Sequence, residues 1–180
     1  MQYRRVNQSG GTYFFTLVTH HREPIFNNPT AVTLLKEAIR SVKTQHAFSI
    51  DAFVLLPNHL HCIWTLPEGD ADNSTRWMLI KGHFTRHYAA LHTLSASSAS
   101  RIQKRERTVW QRRFWAHWIQ DENDYIKHVE YIHFNPVKHG FVSAPKDWRH
   151  SSFHRYVKQG IYDIHWSTSL ENMLNDIGSE

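Results

Sequence analysis

Two histidines one residue apart, His59 and His61, interrupt an otherwise apolar, strand-forming run, LLPNHLHCIWTLP, from Leu55 to Pro67. On a strand, side chains at i and i+2 leave the same face with Cα atoms about 6.5–7 Å apart, so two imidazoles placed this way can converge on one cation. The chain carries 15 histidines in 180 residues, so the spacing equally admits a hydrogen-bonded, half-buried pair. Strand parity groups Ile63 and Thr65 with the histidines and turns Leu60, Cys62, Trp64 and Leu66 to the other face, which makes Cys62 a poor third ligand.

A second group lies in DYIKHVEYIHFN, where helical phasing puts Tyr125, Val129 and Ile132 on one apolar stripe. Tyr131 falls off that stripe and shares its side of the helix with Asp124, Lys127 and Asn135, the last one turn later. A phenol beside a carboxamide on a polar face is a candidate nucleophile. Because Phe134 also leaves the stripe, a core tyrosine fits the wheel as well. With a pKa near 10, a phenol attacks poorly at neutral pH unless a metal, a base or site geometry assists it.

Elements must position these groups. The β-forming run TYFFTLVT (Thr12 to Thr19) predicts a buried strand after Gly10-Gly11, and Asn28-Pro29 starts a helix to about Thr44. FSIDAFVLL and the run from His59 to Leu66 predict a hairpin whose Pro57-Asn58 connection is wider than a tight two-residue turn. Asn73 or Ser74 would cap a second helix that buries Trp77, Ile80, Phe84, Tyr88 and Leu91 and leaves Arg76, Lys81 and Arg86 on its solvated side. RFWAHWI (Arg113 to Ile119) predicts a closing strand, and Asp121 or Asn123 caps a third helix that Pro136 should stop. A short helix is expected around Ser151 to Lys158. The order β, α, β, β, α, β gives an α+β fold, a ferredoxin-like βαββαβ antiparallel sheet with helices packed on it and one more helix, bearing Tyr131, appended toward the C-terminus.

Length and composition narrow the function class. One domain is expected over residues 1–142, with a flexible basic insert near 93–108, followed by a C-terminal extension, 143–180, on the same domain and frayed at its end. The lone Cys62 excludes an internal disulfide and a multi-cysteine zinc site, no signal-like apolar leader opens the chain, and no apolar run nears the roughly 18 residues of a membrane span. A soluble, intracellular protein with no membrane partner is expected; the resemblance named below makes that a cytoplasmic, nucleoid-associated one. A net charge of +5 suggests a polyanionic partner, and aromatic residues beside arginines, as in Trp110-Gln111-Arg112-Arg113-Phe114-Trp115, suit single-stranded nucleic acid. Arg4, Arg5, Arg22, Trp110, Arg112, Arg113 and Lys138 are the candidate contacts to such a partner, which the resemblance named below makes DNA.

The motif His59-Leu60-His61 resembles the histidine-hydrophobic-histidine signature of HUH endonucleases, and LPNHLHCIW, WQRRFW and HVEYIHFNPVKHG together resemble the REP-associated tyrosine transposases of bacteria, over most of the chain. The resemblance implies that Tyr131 is the single catalytic tyrosine, that His59 and His61 bind the metal and that Asn135 completes the site. It implies a divalent cofactor, Mg²⁺ or Mn²⁺, and single-stranded or hairpin DNA with REP-like palindromes as substrate, cleaved and rejoined through a 5′-phosphotyrosine. Both a monomer and a homodimer are compatible with it. A catalytically silent ferredoxin-like nucleic-acid-binding domain is the alternative, and a zinc hydrolase lacks a third ligand at defined spacing.

Overall fold

The computed structural model describes residues 9–92 and 109–168. Four antiparallel strands, β1 (Thr12–Val18), β2 (Ser49–Leu55), β3 (His59–Thr65) and β4 (Trp115–Trp118), form a sheet in the order β2-β3-β1-β4. With the helices α1 (Pro29–Gln45) and α2 (Asn73–Leu91) as crossovers, this is the ferredoxin-like α+β arrangement. A third helix, α3 (Glu122–Lys138), and a short one, α4 (Phe153–Lys158), follow.

Alternation along the strands separates two cores. Tyr13, Phe15 and Leu17 of β1 and Leu60, Cys62 and Trp64 of β3 face α1 and α2, while Phe14 and Ile63 face Val129, Tyr131 and Ile132 of α3. Cys62 is therefore buried on the face away from the histidines, and burial raises its thiol pKa. Among the described residues both faces of the sheet are covered by helices, with Trp115 at the β4 edge left 36% exposed.

Several local expectations change. The side chain that caps α2 is Asp72, which accepts from the Thr75 amide at 2.9 Å, rather than Asn73 or Ser74. Arg76, expected in solvent, is 3% exposed. Its guanidinium donates to both oxygens of Asp70 and to the Ala47 carbonyl, so the charge is buried only because it is paired. Leu91, expected in the core, is exposed, because the apolar stripe of α2 leaves the protein one turn earlier.

Pro136 does not stop α3. Its ring removes one amide from the ladder, but Asn135 and Pro136 are buried and the helix runs on to Lys138. The end is a Schellman motif. The Phe141 amide donates to Pro136 O (3.0 Å), the Gly140 amide to Val137 O (2.9 Å), and Gly140 takes the left-handed φ of +70° that such a terminus needs.

Candidate active site

Register places the site on the face that α3 covers. Across the sheet, His61 of β3 stands opposite Thr16 of β1, and Thr16 opposite Trp115 of β4; in the next row Ile63 stands opposite Phe14 and Phe14 opposite His117. His59 and His61 are 2% and 0% exposed, with ring centroids 5.0 Å apart. Tyr131 of the same chain reaches this pair: its ring lies 5.3 Å from that of His61, edge-on, and 6.0 Å from Phe14.

Each imidazole is held from behind. Asn58 Oδ1 lies 2.6 Å from Nδ1 of His59, and a carboxamide oxygen only accepts, so Nδ1 carries the proton and Nε2 keeps its lone pair. Thr16 Oγ1, 2.8 Å from Nδ1 of His61, can fix the same tautomer there. Such outer partners orient metal-ligating histidines and raise their basicity. Asn135, one turn beyond Tyr131, is fully buried, and neither atom of its carboxamide has a hydrogen-bond partner among the described residues. An unmatched buried amide costs about 1–3 kcal/mol, and a ligand to its oxygen would remove that cost. Two imidazoles engaged through Nδ1 and one buried amide oxygen are a donor set that suits a divalent cation.

At the mouth of the site, Lys138 donates to the Tyr131 hydroxyl at 3.1 Å, with its ammonium 4.7 Å from the ring centroid. His139, exposed at the end of α3, has its ring 5.1 Å from that of His59. Neither placement was readable from helical phasing, since both residues follow the proline. Tyr131 is 3% exposed, the core placement that the wheel left open beside the polar one. From His128 to Pro136 only Glu130 escapes burial, so the C-terminal half of α3 has no solvated side for a polar stripe to occupy.

A further polar cluster stands beside Phe14. Nε2 of His117 lies 2.8 Å from Asp124 Oδ2, and Nδ1 of His128 lies 2.9 Å from both Asp124 Oδ1 and the Asp124 carbonyl oxygen, with the two imidazoles stacked 4.7 Å apart. Burial alone would raise the Asp124 carboxyl pKa, but the Gln120 amide and both histidines outweigh it and hold the pKa below the usual value. Burial depresses that of His128. Tyr125, the other tyrosine of α3, is pushed well above the ordinary phenol range by burial and by its bond to Tyr156, which disfavours it as a nucleophile.

The DNA-contact candidates separate. Arg22, Arg112 and Arg113 are exposed, while Arg4 and Arg5 lie outside the described residues, as do the insert 93–108 and the C-terminal end. Trp110 is corrected. It is 4% exposed and packed between Phe26 and Phe84, so its ring serves the core and has no face to offer a base.

The family model for IS200-like transposases matches residues 7–135. A REP-associated tyrosine transposase of Escherichia coli K12 is 45% identical over 166 residues, 92% of this chain and 90% of its own length. The chain belongs to the REP-associated tyrosine transposases. Another relative of this family, from Haemophilus influenzae, is 38% identical over 164 residues, 91% of this chain and 92% of its own. The solved structure of a REP-associated tyrosine transposase bound to a REP hairpin shares 43% identity and a TM-score of 0.79, covering 94% of this chain and 93% of that one. In this chain Tyr131 approaches His61, and Asn135 is buried one turn farther along the same helix.

Proposed function

We propose that this protein is a metal-dependent single-strand DNA endonuclease and strand transferase that acts on hairpin, REP-like palindromic DNA through a 5′-phosphotyrosine. The observation that carries the reading is the 5.3 Å approach of Tyr131 to His61 in one chain, with the unpartnered Asn135 carboxamide one turn away. His59, His61 and Asn135 are the residues that would hold Mg²⁺ or Mn²⁺, which when bound supplies a Lewis acid for the scissile phosphate.

In the proposed step the Tyr131 oxygen forms a bond to phosphorus and the bond from phosphorus to the 3′ oxygen breaks. The phenol proton leaves to solvent, and the departing oxygen gains one as a free 3′-hydroxyl. The Lys138 ammonium, already on the hydroxyl, favours the charge that develops on the phenol oxygen. The phosphodiester energy is retained in the phosphotyrosine, so another 3′-hydroxyl can reverse the step without ATP. Arg22, Arg112 and Arg113 supply phosphate contacts outside the reacting centre.

The test is covalent capture. With a labelled REP-like hairpin and Mn²⁺ or Mg²⁺, wild-type protein is expected to form an adduct that survives denaturation, and Tyr131→Phe is expected to form none while still retaining DNA on a filter. An adduct undiminished in Tyr131→Phe would remove Tyr131 as the nucleophile.

A further inference from the structure

We propose that His117, Asp124 and His128 form a second metal site, one that takes a transition-metal dication such as Zn²⁺ or Co²⁺ and ties β4 to the helix that carries Tyr131. Their three ligand atoms lie within 4.8 Å of one another. Asp124 and His128 are presented by α3 at i and i+4, a spacing that stacks side chains on one helix face, and His117 comes to them from β4, where it pairs with Phe14. The site therefore joins two elements that are separate in the chain.

The donor set decides the class of ion. Two imidazole nitrogens and one carboxylate oxygen are the ligands of tetrahedral zinc-type sites, whereas Mg²⁺ and Ca²⁺ prefer oxygens alone. Bonds of about 2.0–2.1 Å to such an ion set the ligand atoms roughly 3.3 Å apart. Nε2 of His117 lies 2.8 Å from one oxygen of Asp124 and Nδ1 of His128 2.9 Å from the other, so a site closing from the present 4.8 Å spread needs one of the two oxygens to serve both sides. Binding exchanges the His117 N–H bond to the carboxylate, and the His128 N–H shared by Asp124 Oδ1 and the Asp124 carbonyl, for bonds to the ion, each proton moving through solvent to the other ring nitrogen. The His117 and Asp124 side chains are 29% and 20% exposed, so the fourth position opens to water, while His128 at 5% anchors the inner side. The Phe14 ring, 4.8 Å from that of His128 and 5.4 Å from that of His61, stands between this cluster and the histidine pair, making the two sites distinct.

Tyr131 is three residues beyond His128 on the same helix, so occupancy fixes the tyrosine's helix against the short edge strand β4. The experiment is a titration of the full chain with Co²⁺, followed by its visible absorption, and with Zn²⁺, followed by calorimetry and thermal melting. One equivalent is expected to remain in His59→Ala/His61→Ala, with a tetrahedral cobalt spectrum and a raised Tm, and to vanish in His117→Ala and in Asp124→Asn. Should the double alanine variant not fold, the wild-type stoichiometry decides: His117→Ala must bind one equivalent fewer than wild type. Equal stoichiometry in wild type, His117→Ala and Asp124→Asn overturns the proposal and leaves the cluster a hydrogen-bonded strut. DNA cleavage is not the readout, so failure here is distinguishable from failure of the tyrosine reading.

Discussion

At the scale of residues, the candidate site depends on which atoms are already committed. Asn58 and Thr16 occupy the Nδ1 side of both histidines and so present the opposite nitrogens to the space under α3. Lys138 is committed to the Tyr131 hydroxyl, which argues for a part in the chemical step as well as in holding phosphate. Lys138→Met is expected to lower kcat at saturating hairpin by about 10²-fold, the usual scale for losing one donor from a developing negative charge. Quench-flow cleavage assays would check it. If Lys138 is only a phosphate contact, the variant will instead bind more weakly, with a shallower salt dependence and an unchanged saturated rate.

At the scale of elements, the end of α3 carries much of the site. Gly140 holds φ +70°, and a Cβ added there would meet nothing within 4 Å. Gly140→Ala therefore tests backbone conformation alone, and denaturant unfolding is expected to show a loss of about 1–2 kcal/mol. The same helix marks the limit of what the sequence made legible. Strand alternation sorted His59 and His61 from Cys62, because in a sheet covered on both sides a period of two still decides which core a residue joins. Helical phasing was less informative for α3, where one surface packs on the sheet and another on the C-terminal segment, so Tyr131 is both a core residue and the nucleophile candidate. Trp110 and Arg76 were misread for a common reason. Their burial depends on partners distant in sequence, Phe26 and Phe84 for one and Ala47 for the other, that no local window contains. The His117–Asp124–His128 cluster was invisible for the same reason, since it needs the β1–β4 pairing as well as the helix spacing.

At the scale of the whole molecule, the chain beyond α3 closes the outer edge of β2. The Leu55 amide donates to His150 O (2.9 Å), the Ser152 amide to Phe53 O (2.8 Å), the Phe53 amide to Ser152 Oγ (2.9 Å) and Trp148 Nε1 to Leu55 O (2.9 Å). A bulge at Asp51 in β2 turns its carbonyl toward Tyr156 and Arg155 of α4. An edge covered in this way offers no template for another strand. His133 of α3 joins the same assembly through Ser152 Oγ (2.8 Å), and burial depresses its pKa to about 3. The neutral ring is the native form, whereas the unfolded chain protonates near 6.5. The unfolded state thus binds the extra proton between those values, and stability falls as pH drops from about 6.5 toward 3. Urea unfolding across that range is expected to show a shallower pH slope in His133→Gln than in wild type.

Pro136 gives the site a joint. With no amide at that position, the carbonyl four residues back, that of Ile132, loses its helical donor between the turn that carries Tyr131 and Asn135 and the turn that carries Lys138 and His139. The first pair is anchored in the buried half of α3, while the second sits on the final turn, tied by the His139 amide to Asn135 O (3.0 Å) and closed by the Gly140 terminus. The two halves of the site are therefore joined where one backbone hydrogen bond is missing, so a displacement of Lys138 and His139 is passed on less directly to the phenol and the carboxamide.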